Sequence, residues 1–376
     1  MRIAFTGLRT IGGGSGGVEK AVEEVSVRLA ARGHDVTVFC RTRYNPQGLT
    51  SYRGVRMVNL PAIYTKHLEA ISHTFLSVLH ALAGYDLVHV HATGPSMLAF
   101  VPRLAGRKVV VTVHGLDWKR EKWRGVAKPL LRMGVWTAVH FPHRTIAVSR
   151  HLQRELSDRY RREIVYIPNG IPEAVRRPCD RIRRFGVSGN DYVLFLGRLV
   201  PEKGCHVLLE AFKSLAANPK LLVVGGASHS DDYTARLHQV AKDDPRIVFT
   251  GPLYGEEKDE AYSNALCLVL PSTLEGMSIV LLEAMSYRCP VLCSAIPENL
   301  EVLQPPGGTP PDPAAYASTF APGQVDDLKT KLADVLAHPD QAAGRAAAAL
   351  RDLVPMYSWD RVADQVEAVY RRLLQE

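Results

Sequence analysis

Short, continuous apolar runs alternate with amphipathic stretches along nearly the whole chain, and the alternation stops and restarts once. The first series of runs falls at Ile3–Thr6, Val36–Cys40, Val55–Leu60, Leu87–Val90, Val109–Val113, Thr145–Val148 and Ile164–Ile167. Between them lie segments such as Val18–Ala31 and Phe75–Ala83, whose apolar residues recur three or four apart, the helical period. Strands that are apolar throughout are buried on both faces, so the pattern predicts a parallel sheet covered by helices. Pro168-Asn169-Gly170 and the basic, proline-bearing stretch to Arg184 break the rhythm. It resumes with strands expected at Tyr192–Leu199, Leu221–Val224, Arg246–Thr250, Cys267–Leu270 and Val291–Ser294. A chain of 376 residues exceeds one ordinary core. The expectation is therefore an α/β protein of two Rossmann-like, doubly wound domains facing a central cleft. Ligands of such sheets bind outside the carboxyl ends of the strands, which puts the expected active site in that cleft.

Several classes fall away at once. The run Met1–Gly7 is too short for the core of a signal peptide and reads as a first strand. No apolar stretch approaches the ~18 residues of a membrane span, so a cytoplasmic location is expected, with any membrane association peripheral. Hydrophobic residues make up 46% and charged residues 22%, which excludes a disordered chain. The six cysteines show no Cys-x-x-Cys spacing and mostly sit in strand-like runs, so buried reduced thiols are expected rather than a zinc site. The net charge of +8 is uneven: residues 1–170 carry 25 Lys and Arg against 11 Asp and Glu, and the rest carries 21 against 27. A basic half suits an anionic partner, although drift in surface composition gives the same count.

Two motifs carry chemistry. In the first, Glu275-Gly276-Met277-Ser278-Ile279 leads from a strand into a helix bearing Glu283. Backbone N–H groups of Met277, Ser278 and Ile279 at a helix N-terminus suit an anion, and two carboxylates eight apart suit a sugar and a ribose. A loop acid and a solvated helix acid would show the same spacing. The second, Gly197-Arg198-Leu199-Val200-Pro201-Glu202-Lys203-Gly204, places Arg198 and Lys203 on a strand-to-helix turn, where two cations grip a diphosphate. They read equally as solvated charges, with Glu202 as a salt-bridge partner. The run Gly12-Gly13-Gly14-Ser15-Gly16-Gly17 formally matches G-x-G-x-x-G. Four residues separate it from the first strand and no acid ends the second, so a flexible phosphate-side loop is preferred to a dinucleotide fingerprint. The pairs Asp231-Asp232, Asp243-Asp244 and Asp326-Asp327 read as caps and surface acids.

Taken in order, these pieces resemble the retaining glycosyltransferases of family 4, with the GT-B architecture. The likeness includes Gly16-Gly17-Val18-Glu19, Arg32-Gly33-His34-Asp35, His114-Gly115, Ile167-Pro168-Asn169-Gly170, both motifs above and Trp359-Asp360. Gly225-Gly226-Ala227-Ser228 and Ile296-Pro297-Glu298-Asn299 are similar to its bacterial polysaccharide-assembly branch. The resemblance implies an acceptor-binding domain at residues 1–170, onto which a terminal helix at 358–376 packs back, and a donor-binding domain at 171–357. It implies that Arg198 and Lys203 hold the diphosphate of a nucleotide sugar (UDP-, GDP- or dTDP-linked), that Glu283 takes the ribose hydroxyls, and that Glu275 lies beside the transferred sugar. Gly276, Met277, Ser278 and Ile279 would line the donor, Gly16 and Gly17 would let the chain approach the diphosphate, and His114 would meet the sugar. Met277 stands where the family usually has glycine.

The implied reaction is transfer of a hexose to a hydroxyl acceptor with retained configuration, with no cofactor and no metal. The expected acceptor is a lipid-linked or surface glycan, with a small soluble acceptor as the alternative, then an epimerase, then a non-catalytic binding protein. Trp118, Lys119, Arg120, Lys122, Trp123 and Arg124, with Lys128, Arg132, Arg144, Arg150, Arg159, Arg161 and Arg162, suit an anionic membrane surface. No nucleic acid is expected, because the aromatics form no stacking series.

Overall fold

The computed structural model describes residues 1–13, 16–65, 68–116, 127–171, 173–216, 219–226, 231–304 and 312–376. The chain divides into two compact units, Met1–Gly170 with Trp359–Glu376, and Ile171–Ser358. Ser358 belongs with the second unit because it bridges Ile171.

The first unit runs β1 (Arg2–Thr6), α1 (Gly17–Ala31), β2 (Asp35–Arg41), β3 (Ser51–Tyr52), β4 (Val55–Leu60), α2 (Glu69–His80), β5 (Leu87–His91), α3 (Phe100–Leu104), β6 (Lys108–Val113), α4 (Ala127–His140), β7 (Arg144–Ala147), α5 (Arg150–Tyr160) and β8 (Val165–Tyr166). Its sheet has the order β3-β4-β2-β1-β5-β6-β7-β8, and only the short β3 pairs antiparallel. The order reverses beside β1, the switch point at which ligands of such sheets bind. One face buries Ile3, Phe5, Val36 and Val38 under α1. The other buries Ala4, Val88, Val109 and Val111 under residues such as Val135, Ala138 and Leu152. Local chemistry sets the ends: Ser149 Oγ caps α5 by accepting the Leu152 N–H at 3.2 Å, and Glu19 and Arg28 complement the dipole of α1.

The second unit runs β9 (Tyr192–Leu196), α6 (Cys205–Lys213), β10 (Lys220–Val224), α7 (Asp231–Ala241), β11 (Ile247–Gly251), α8 (Gly255–Ser263), β12 (Cys267–Leu270), α9 (Ile279–Ser286), β13 (Val291–Ser294), α10 (Pro297–Val302), β14 (Ser318–Phe320), α11 (Val325–Ala337) and α12 (Pro339–Asp352). Its sheet is wholly parallel, in the order β11-β10-β9-β12-β13-β14, and reverses at β9. Both units thus have the Rossmann-like parallel architecture.

The last helix, α13 (Trp359–Gln375), packs on the first unit. Trp359, Val362, Val366, Tyr370 and Leu373 join the core cluster of β1 and α1. Around that seam Arg28 meets Asp360 at 2.7 Å, Arg32 meets Asp364 at 2.7 Å and Glu367 at 2.9 Å, and His34 Nε2 lies 3.1 Å from Glu367.

Three expectations need correction. The strand expected over Tyr192–Leu199 stops at Leu196, because Gly197 onward forms the turn of the Arg198 motif. The helix expected at Phe75–Ala83 begins at Glu69, since its buried face carries the polar His73, Thr74 and Ser77. The strands β3 and β14, two and three residues long, are too short to show a period. The Trp118–Arg124 segment, the loop at 305–311, Gly14, Ser15, Ala227 and Ser228 lie outside the described residues. All six cysteines are buried and free.

Candidate active site

In the second unit the site grows from the loops that leave β9 and β12, the neighbouring strands at the reversal. Residues Pro201–Lys203 form a single 3-10 turn, and Gly204 follows with φ +68. A Cβ at Gly204 would stand 2.1 Å from the Pro271 carbonyl oxygen, so only glycine lets the first loop lie against the second. The Thr273 N–H donates to the Glu202 carbonyl at 2.9 Å and ties them again. Lys203 Nζ consequently sits 2.5 Å from Glu275 Oε1, with the side chains 16% and 8% exposed. Arg198 stands half-buried on the same β9 loop.

The expectation that Glu202 pairs with its cationic neighbours is overturned. Lys203 takes Glu275 instead, and the buried Glu202 carboxylate has no hydrogen-bond partner among the described residues. Glu202 contributes its backbone carbonyl to the site.

Glu283, on α9, is buried and holds two partners that the motifs did not reveal. Lys258 Nζ lies 2.9 Å from Oε1, and the Tyr262 hydroxyl donates to Oε2 at 2.9 Å. Both come from α8, one helical turn apart, so a Lys-x3-Tyr spacing was the available signal. Burial and then the Glu283 carboxylate hold the Tyr262 phenol well above its usual pKa, so it stays a donor. A carboxylate has about four lone-pair sites. With one partner on each oxygen, Glu283 keeps acceptor capacity for a diol.

At the start of α9, Ser278 Oγ donates to Asn299 Oδ1 at 2.5 Å, and Asn299 Nδ2 donates to the Ser294 carbonyl at 2.9 Å. Asn299, on α10, thereby anchors Ser278 at the start of α9, next to the buried Met277. The Ile279 N–H does not behave as an unengaged terminal amide: it donates to the Met277 carbonyl at 3.0 Å.

The first unit carries His114, Gly16 and Gly17. Gly17 opens α1, and Gly16 is its cap with an extended φ of 162. A Cβ at Gly16 would meet Glu19 Oε2 at 2.3 Å, so the crowding there comes from the helix's own carboxylate. His114 follows β6, with Nε2 3.0 Å from His91 Nδ1 at the end of β5. Among the described residues no group of three His, Cys, Asp or Glu is placed to hold a metal ion, and no helix is long and apolar enough to cross a membrane.

Residues 15–175 match the profile of Glycosyltransferase Family 4, and residues 181–350 match that of Glycosyl transferases group 1. The chain is 28% identical to a D-inositol 3-phosphate glycosyltransferase of Acidothermus cellulolyticus, covering 97% of this chain and 87% of that protein. It is 28% identical to a GDP-mannose-dependent alpha-mannosyltransferase of Mycobacterium tuberculosis, covering 94% and 92%. Among solved structures, Anabaena HepE in complex with UDP-glucose superimposes with a TM-score of 0.81 at 20% identity, covering 99% of this chain and 100% of that one.

Proposed function

The chain belongs to glycosyltransferase family 4 and has the GT-B fold, and from that premise we propose that it moves a hexose from a nucleotide-diphosphate sugar to a hydroxyl acceptor with retention of configuration. The observation that carries this reading is the junction of the β9 and β12 loops, where Lys203 of the Arg198 loop meets Glu275. Related proteins that use GDP-mannose or are seen with UDP-glucose support a donor of this class.

In this reading Arg198 and Lys203 take the diphosphate, and Glu283, oriented by Lys258 and Tyr262, takes the ribose hydroxyls. As the bond from the anomeric carbon to phosphate oxygen lengthens, negative charge grows on the departing phosphate, and the two fixed cations stabilise it without reorganising. The acceptor hydroxyl attacks the face that the phosphate leaves, and a phosphate oxygen accepts its proton, so no separate base is required. Glu275 keeps Lys203 in place and lies beside the sugar, and His114 is proposed as a further sugar contact. No metal is needed, because the two side-chain cations supply the leaving-group charge.

The proposed acceptor is a lipid-linked or surface glycan. The first unit is the basic one, and its α4 exposes Leu130, Met133 and Trp136 at 44–48%. Phe75 and Leu79 of α2 are also exposed, and both helices pack on the turn at Pro95–Leu98. Exposed apolar residues on the more basic unit suit an anionic lipid surface. A small phosphorylated acceptor is the second reading, favoured by the inositol phosphate relative. Purified protein incubated with a panel of nucleotide sugars is expected to hydrolyse one donor slowly and to gain thermal stability with it. Binding to anionic vesicles at low salt, lost at high salt, separates the acceptors: its absence would favour the small one.

A further inference from the structure

His91 has no place in the mechanism above, yet its side chain touches His114. Residues His89 and His91 alternate onto the same face of β5, with ring centroids 4.2 Å apart and Phe5 at 5.3 and 5.7 Å. His89 uses both nitrogens, one on the Tyr370 hydroxyl and one on Thr112 Oγ1 at 2.7 Å. His91 uses one: its Nδ1 lies 3.0 Å from His114 Nε2, and its buried Nε2 has no partner among the described residues.

The backbone around His91 is held unusually firmly. A Cβ at Gly7, where φ is +95, would stand 2.2 Å from the His91 carbonyl oxygen, so β1 presses on the end of β5. Ala92 follows at φ 71, a conformation that costs an alanine energy, with its N–H fixed to the Thr112 carbonyl at 3.1 Å. Strained, over-determined backbone of this kind concentrates where a side chain must be aimed.

We infer that His91 is a positioning residue: it donates its Nδ1–H to His114 Nε2 and so keeps the proton of His114 on Nδ1. A neutral imidazole has one N–H and one lone pair, and the pair shares one hydrogen bond. Were His114 the donor, the proton of His91 would lie on the buried Nε2 with no acceptor, and buried N–H groups without acceptors are the rarer defect. Burial and the neighbouring His89 and His114 keep His91 neutral, its pKa far below the usual histidine value. The consequence is that His114 presents Nδ1–H, a donor rather than an acceptor. Its value for catalysis rests on the proposed contact between His114 and the transferred sugar.

Long-range 1H–15N correlation spectra of the full-length protein with labelled histidine, recorded where the imidazoles are neutral, read the tautomer directly. The wild type is expected to carry the His114 proton on Nδ1. His91→Leu is expected to shift it to Nε2, and His91→Asn, whose amide can donate from the same place, to keep it. Turnover of a nucleotide sugar is expected to fall roughly tenfold in His91→Leu with the donor KM little changed, and to recover in His91→Asn. A wild-type His114 protonated on Nε2, or a tautomer indifferent to His91→Leu, overturns the inference even if sugar transfer is established. A tautomer that follows His91 in a protein without transferase activity leaves the inference standing and removes the functional reading instead.

Discussion

Lys203 and Glu275 cannot be substituted independently. At 2.5 Å, with both side chains mostly buried, removing either one leaves the other as an unpaired, mostly buried charge. Lys203→Ala is expected to cost turnover more than Glu275→Gln, and the double variant to cost less than the product of the two. A double-mutant cycle on kcat/KM tests this, and strict additivity would contradict the pairing. If Glu283 holds the ribose as proposed, Glu283→Ala removes hydrogen bonds to a charged group, each about 1.5–3 kcal/mol, so the donor KM should rise roughly tenfold to a hundredfold. Tyr262→Phe keeps the carboxylate and should cost several-fold less; an equal loss would mean that the hydroxyl itself binds the donor. Arg198, Lys203, Glu275 and Glu283 stood out as candidates in the chain because they fall in two motifs after strand ends, and the structure brings Lys203 and Glu275 together. Their partners were not readable as site residues. Lys258, Tyr262 and Asn299 come from other elements, as does His91 beside His114, and the buried Glu202 pairs with neither cationic neighbour because sequence neighbours on a tight turn need not face each other.

Helix α13 shows what one element adds to another. Its apolar positions predicted the helix, and its docking on α1 buries Trp359 and Tyr370. Burial raises the Glu367 carboxyl, but hydrogen bonds from Arg371, Arg32 and His34 outweigh it and hold the pKa down to about 2. A depressed folded-state value stabilises the native form above the unfolded carboxylate pKa, and that stabilisation is lost as pH falls from about 4.5 toward 2. Glu367→Gln is expected to lower the Tm at neutral pH by roughly 2–5 °C, since its partners are partly exposed. The difference from wild type should vanish toward pH 2 in a thermal melt series, and a constant difference across that window would refute the role. The elements that escaped prediction did so for local reasons. Strands β3 and β14 are shorter than any period, and α2 hides polar residues on its buried face, Glu69 taking Arg41 at 2.8 Å.

At the scale of the whole molecule, the two parallel sheets and their point of reversal were the most legible features. Seven apolar runs and then five lie within a residue or two of observed strands, apart from the overlong run at β9. Each expected strand end also marks where a sheet of this kind exposes its ligand site, which is why fold and candidate site emerged together. The uneven charge was legible as a number, but the exposed apolar residues of α2 and α4, Phe75, Leu79, Leu130, Met133 and Trp136, appeared only in three dimensions. The central claim is that two side-chain cations, without a metal, drive transfer on the face the phosphate leaves. The most direct measurement is the anomeric proton coupling constant of the product formed in the presence of EDTA. The account predicts undiminished activity and a product with the configuration of the donor. An inverted product, or activity abolished by EDTA and restored by Mg²⁺ or Mn²⁺, would contradict it.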